Sequence, residues 1–195
     1  MAELEKNEEV VEKEINTEPK YHLVTPDDPI LREKIPDFDF KNPPVDPEVL
    51  AGELAEHMMG YGGIGLSANQ LGLPYRVFAM RAEPSYVCYN PRITAFSDQR
   101  EEILLDEGCL TFPLLFLKIK RPRFIRVRFQ MPSGKWKTMR LDGMAARVYQ
   151  HELDHLNGVL MTDHVSQLKL NRAKDKQMKL FKKISRENKR RAKKN

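Results

Sequence analysis

The chain has 195 residues, 41% hydrophobic and 31% charged, with a formal net charge of +5. That length and composition suit one domain with a core of its own, and no apolar run approaches the ~18 residues a membrane-spanning helix needs. The charge is unevenly placed: residues 168–195 hold 13 Lys and Arg against Asp175 and Glu187, while the rest holds 20 bases and 26 acids, so the body is mildly acidic and the tail strongly basic.

Residues 1–20 are polar and Glu-rich, the composition of a disordered or loosely helical extension. They lack the apolar core of a secretory signal and the Arg-rich, acid-poor character of a transit peptide. Two cysteines, Cys88 and Cys109, suit reduced thiols. These features predict a cytoplasmic location. A single core follows over 21–166, without repeats, low-complexity stretches or a linker long enough to divide it. Asp46-Pro47 supplies an N-cap and a proline at the first helical position, and Leu50, Leu54 and Met58 recur every four residues, predicting a helix that ends near Gly60. A Gly-rich irregular stretch, YGGIGLSANQLGLP, leads into a strand at YRVFAM. Ile125, Val127 and Phe129 alternate with Arg126 and Arg128, a half-buried strand. Pro132-Ser133-Gly134 turns the chain back into a second strand over 135–140. Asp142 is placed to cap a helix from about Gly143 to Leu156, closed by Asn157-Gly158. Over 167–195 the basic tail repeats Met178, Phe181 and Ile184 among lysines, as a basic amphipathic helix would. The predicted fold class is α+β: short, mostly antiparallel strands around a central helix, plus a C-terminal basic helix.

That central helix carries HELDH at 151–155. His151 and His155 are four residues apart, so they share one helix face and can meet at one divalent metal. Glu152, beside the first ligand, can reach a metal-activated water as acid/base without occupying the metal. Apolar Val148, Leu153 and Leu156 point to a buried helix, where unpaired polar groups cost several kcal/mol. A catalytic site of this kind has three protein ligands plus water. A thermolysin-like peptidase takes its third, a Glu, about 20 residues downstream, and a metzincin takes a His six residues on. Here position 161 is Met161 and the next glutamate is Glu187, deep in the basic tail. His164 is a weaker candidate. Cys109, between Gly108 and a proline four residues on, is better placed to present a thiolate from the end of a strand.

Three segments then carry a family resemblance. Gly-Ile-Gly-Leu-Ser-Ala-Asn-Gln at 63–70 resembles GxGLAAxQ, with Ser67 in place of a common alanine. Glu107-Gly108-Cys109-Leu110-Thr111 resembles EGCLS, and 150–158 matches QHExDHLxG. Together they resemble the peptide deformylases, over about residues 21–185. The resemblance implies that Cys109, His151 and His155 hold one divalent ion, typically Fe²⁺ in the cell, with Zn²⁺, Ni²⁺ or Co²⁺ able to replace it. It implies that the metal acidifies its water, that Glu152 takes and returns the proton, and that the Gln70 amide and the Leu110 N–H steady the oxyanion. Gly65 would hydrogen-bond the substrate chain, and Ile64, Met144, Val148 and His151 would line a methionine pocket. The substrate would be an N-formylmethionyl nascent polypeptide, released as formate and a free N-terminus.

One departure stands out. Many bacterial members carry an arginine a few residues after EGCLS; Phe116 is roughly at that place here, closer to the plant-organelle and phage-like branch. In the family a C-terminal helix can dock on the ribosome, and a basic segment facing RNA gains from counterion release. No membrane partner is expected. A metal-dependent peptidase and a non-catalytic ribosome-associated protein are the two rival readings.

Overall fold

The computed structural model describes residues 20–192, except 83–84 and 99–100. The acidic extension expected over 1–20 therefore lies, but for Lys20, outside the described residues. In chain order the elements are α1 (Pro47–Gly60), β1 (Gly65–Ser67), β2 (Val77–Met80), β3 (Tyr86–Phe96), β4 (Glu102–Cys109), β5 (Phe112–Pro122), β6 (Phe124–Gln130), β7 (Trp136–Asp142), α2 (Gly143–Leu156) and α3 (Gln167–Ala192). Strands β1-β2-β3-β6-β7 form one sheet and β4-β5 a second, with every pairing antiparallel. The α+β architecture with a C-terminal helix is as expected.

α1 starts where its cap dictates. The Asp46 carboxylate accepts from the N–H groups of Glu48 and Val49 at 2.8 and 3.2 Å, and Pro47 loses no bond at the first helical position. Leu50, Leu54 and Met58 then face inward. β2 lies between the two main helices. Its Val77 and Ala79 pack in the α1 cluster with Leu50, Leu54 and Met58. Phe78 and Met80, pointing the other way, join Ile125, Val127 and Phe129 of β6 under Ala146, Tyr149, Leu153 and Leu156 of α2. Each fully buried side chain of this size contributes about 1.5–3 kcal/mol, so the helix bearing His151 and His155 is anchored by its apolar stripe. The β4–β5 hairpin covers another side of α2. Its Leu115, Leu117 and Ile119 pack on Met161, and Leu170 and Ala173 from the first turns of α3 close over them.

Three local expectations are corrected. The strand expected over 75–80 begins at Val77; Arg76 before it is buried and donates to the carbonyls of Ile35 and Leu156 at 3.2 and 2.9 Å and to Asn157 Oδ1 at 2.9 Å. The strand expected over 135–140 runs on to Asp142, which pairs with Phe124 in the β6–β7 ladder. Asp142 consequently makes no side-chain cap to α2; its carboxylate lies 3.4 Å from Arg123 Nε and 3.7 Å from Arg140. The far end of α2 is closed as expected. Gly158 has φ +74°, and a Cβ there would lie 2.5 Å from the Arg32 carbonyl oxygen, so only glycine fits. Among the described residues no helix is long and apolar enough to cross a membrane.

Candidate metal centre

α2 delivers His151, Glu152 and His155, and the last residue of β4 delivers Cys109. The thiol and both imidazoles offer ligand atoms within 4.8 Å of one another, with Cys109 Sγ 3.2 Å from His155 Nε2. The two rings stand nearly perpendicular, centroids 5.0 Å apart. The ladder is irregular between Glu107 and Cys109, and such a bulge turns the following side chain. Leu110 and Thr111 then make the two-residue turn into β5.

The electrostatics ask for a cation. Burial by itself would raise the Cys109 thiol, yet the neighbouring His155 and His151 hold it well below the usual thiol range. Burial would lower His151, yet its hydrogen bonds to Cys109 and Glu107 carry it up to about 10. The pocket thus favours a thiolate and a positive charge between Cys109 and Glu107, the charge a divalent ion supplies. Sulfur with two imidazoles is also a donor set that divalent transition metals accept. The residues fit a metal.

Glu107 orients the site from behind. Its Oε2 lies 3.2 Å from His151 Nδ1, which leaves Nε2 to face the cluster. Arg121 donates to both its oxygens at 2.7 and 3.0 Å, and Arg147 to Oε1 as well. Burial pushes the Glu107 carboxyl up, but the hydrogen bonds and charges of His151 and Arg121 bring it down to about 2. Arg121 also holds Asp154 at 2.8 Å, and Asp154 holds His164 at 2.8 Å. His164 is thereby engaged away from the ligand cluster, and Met161 is core. Removing one member of a buried charge cluster costs about 3–5 kcal/mol, so this network fixes the hairpin against α2.

The remaining expected residues meet in a cleft of about 480 Å³, lined among others by Ile64, Gly65, Gln70, Leu110, Met144, Val148, His151 and Glu152. Gln70 is buried. Its Oε1 accepts from Ser67 N at 2.9 Å, which turns Nε2 towards Thr111 Oγ1 at 3.0 Å and Cys109 Sγ at 3.4 Å. Glu152 is 3% exposed. Burial pushes its carboxyl up against the pull of His151, His155 and the Ser67 hydroxyl, which donates to Oε2 at 2.7 Å. A Cβ on Gly65 would lie 2.3 Å from Glu152 Oε1: this glycine makes room for the carboxylate as well as for a substrate chain. Val148 is buried in the cleft wall, with Ile64 and Met144 exposed at its mouth.

Sequence reasoning gave no role to Ser67, Arg121, Arg147 or Asp154. Ser67 registered only as a departure from a motif alanine, and the two arginines stand in no recognisable spacing to Glu107.

Comparison with known proteins gives the family. The sequence model of the polypeptide deformylase family matches residues 20–171. A peptide deformylase of Bartonella tribocorum is 37% identical over 177 residues, 87% of this chain and 95% of that protein. The crystal structure of a peptide deformylase from Synechococcus elongatus in complex with actinonin superposes with a TM-score of 0.75 at 30% identity, covering 82% of this chain and 89% of that one. A probable peptide deformylase from a Synechococcus phage gives 0.66 at 38% identity, covering 74% and 99%. With its Cys-His-His cluster at the end of a matching fold, the chain belongs to the polypeptide deformylase family of hydrolases.

Proposed function

We propose that this chain hydrolyses the formyl amide of N-formylmethionyl nascent polypeptides at the cluster of Cys109, His151 and His155, releasing formate and a free amine. The observation that carries the reading is Glu152: a carboxyl pushed up by burial, beside a thiolate and two imidazoles able to hold one metal ion. When bound, the ion supplies Lewis acidity, acidifying water and polarising the formyl carbonyl. We assign Fe²⁺ in the cell; Zn²⁺, Ni²⁺ or Co²⁺ suit the same donors.

Glu152 accepts the proton of the attacking water and returns it to the departing amine, work that favours a carboxyl raised towards neutrality. Gln70 Nε2, its direction fixed by Ser67 N, and the Leu110 N–H at the hairpin turn donate to the oxygen that gains charge. The Gly65 backbone receives the peptide chain, and Ile64, Met144 and Val148 receive the methionine side chain. Protein prepared without oxygen and loaded with metal is expected to release formate from formyl-Met-Ala and to leave unformylated peptides intact. Cleavage of an unformylated peptide bond would support the peptidase reading instead, and no formate would overturn ours.

The basic helix is read as a ribosomal contact. Leu170 and Ala173 seat the start of α3 on the core, and Gln177 Nε2 donates to the Pro113 carbonyl at 2.7 Å. Beyond that, Lys179, Lys182, Lys183, Arg186 and Arg190 are exposed, a surface suited to phosphates. Deleting 179–195, which spares the packed turns, is expected to abolish co-sedimentation with ribosomes at low salt; unchanged co-sedimentation would sink the idea. Two free cysteines, one of them a ligand thiolate, support a reducing compartment and a cytoplasmic location.

A further inference from the structure

We infer that the Ser67 hydroxyl is a positioning group for Glu152: it holds Oε2 and leaves Oε1 as the oxygen that carries the proton. The inference deepens the deformylase reading above and rests on it. β1 is three residues long, and its alternation decides what α2 meets. Leu66 packs in the α1 cluster with Leu54 and Met58, so Gly65 and Ser67 share the opposite face. Glu152 lies against both. A Cβ on Gly65 would come within 2.3 Å of Glu152 Oε1, and Ser67 Oγ lies 2.7 Å from Oε2. One position makes room for the carboxylate and the other grips it.

The grip is specific to Glu152. Ser67 is fully buried, so its hydroxyl must find a partner within the protein. Both acceptors within reach belong to Glu152, the carboxylate Oε2 at 2.7 Å and the main-chain carbonyl at 3.0 Å. The hydroxyl has one hydrogen, and the shorter, charge-assisted contact is to the carboxylate. Among the described residues no hydrogen bond reaches Oε1, and Glu152 lines the cleft. The hydroxyl therefore commits one oxygen and leaves the other for the attacking water.

The rest of Ser67 does a different job. Its N–H donates to Gln70 Oε1 at 2.9 Å, so the two donors of one residue are divided between the proton carrier and the oxyanion donor. Its Cα is paired with Phe78 in the β1–β2 ladder, and Phe78 is core. A side chain with several rotatable bonds is thus fixed by a hydroxyl on a rigid strand. Alanine, common at this position of the motif, would supply the same N–H to Gln70 and no hydroxyl.

The test is a double-mutant cycle on metal-loaded protein, with formate release from formyl-Met-Ala as the rate. Ser67→Ala keeps the N–H that aims Gln70 and removes only the hydroxyl. It is expected to lower kcat by about three- to tenfold, with KM and metal per chain unchanged, because an unheld carboxylate spends less time aligned with its water. On a Glu152→Gln background the same change is expected to alter the residual rate by less than about twofold, since no proton carrier is left to position. An unchanged kcat in Ser67→Ala, or an equal loss on both backgrounds, would overturn the inference and leave the reaction assignment standing; the contact would then only pin α2 to β1. A loss expressed in KM or in metal content would also overturn it, by moving the effect to substrate contact or to the ligands. No formate from the wild type would overturn the reaction assignment, and this inference with it.

Discussion

Glu152→Gln is expected to retain the metal and lose kcat by about 10³–10⁴-fold, or roughly 4–5.5 kcal/mol of barrier. Glutamine keeps the shape of the side chain, so the tight fit against Gly65 and the Ser67 hydroxyl, which donates to the carboxylate at 2.7 Å, can be preserved. What goes is the capacity to hold and return a proton. Stability should not suffer. Burial disfavours the ionised carboxyl, so replacing it with a neutral amide removes a desolvation cost. The experiment therefore has three readouts on one sample: metal per chain, formate released per second, and the thermal midpoint. Intact metal and an unlowered midpoint with activity gone would isolate the proton-transfer role. Activity within tenfold of wild type would remove Glu152 from the chemistry, and a metal-free variant would mean that the carboxylate had been a ligand.

The two halves of this site were unequally legible in the sequence. His151, Glu152 and His155 could be read because helical periodicity alone puts residues four apart on one face, and apolar Val148, Leu153 and Leu156 marked the helix as buried. Cys109 was reachable by a different route, since the downstream sequence offers only His164, a weaker third ligand, and the segment around Gly108 offers a better one. The hairpin that carries Cys109 was harder. β5 alternates clearly, but its inward face ends in Arg121, a charge where the pattern asks for an apolar residue. Only Glu107, on the neighbouring strand β4, and Asp154, on α2, explain it. Contacts of that kind are set by tertiary packing and leave no spacing to read. The same limit explains Asp142 and Arg76. Asp142 is a good N-cap by composition, but the β6–β7 ladder claims its backbone. Arg76 sits in a strand-like run, yet its guanidinium is used to satisfy the buried carbonyls of Leu156, at the end of α2, and of Ile35. Asp46 was read correctly because a cap followed by proline is a purely local device.

Cys109→Ala is expected to do what Glu152→Gln does not. It should empty the site, weakening metal binding by more than the about 10–100-fold that loss of an outer-sphere partner costs, and abolish formate release. The argument is electrostatic as well as geometric. His155 and His151 hold the thiol well below its usual range, which favours the thiolate that a cation binds. Alanine leaves two imidazoles and no anion in contact with the metal. It also frees Gln70 Nε2 from a sulfur 3.4 Å away, though Thr111 Oγ1 at 3.0 Å still holds that amide, so the Gln70 donor should keep its direction. Cys109→Ser separates the two contributions, because its hydroxyl can reach the same region but does not ionise at neutral pH. If the thiolate charge dominates, serine should lose nearly as much metal as alanine; if position dominates, it should keep much of it. Stoichiometric metal in the alanine variant after dialysis against a weak chelator would show that the ion is held elsewhere, and the Cys-His-His assignment would fall.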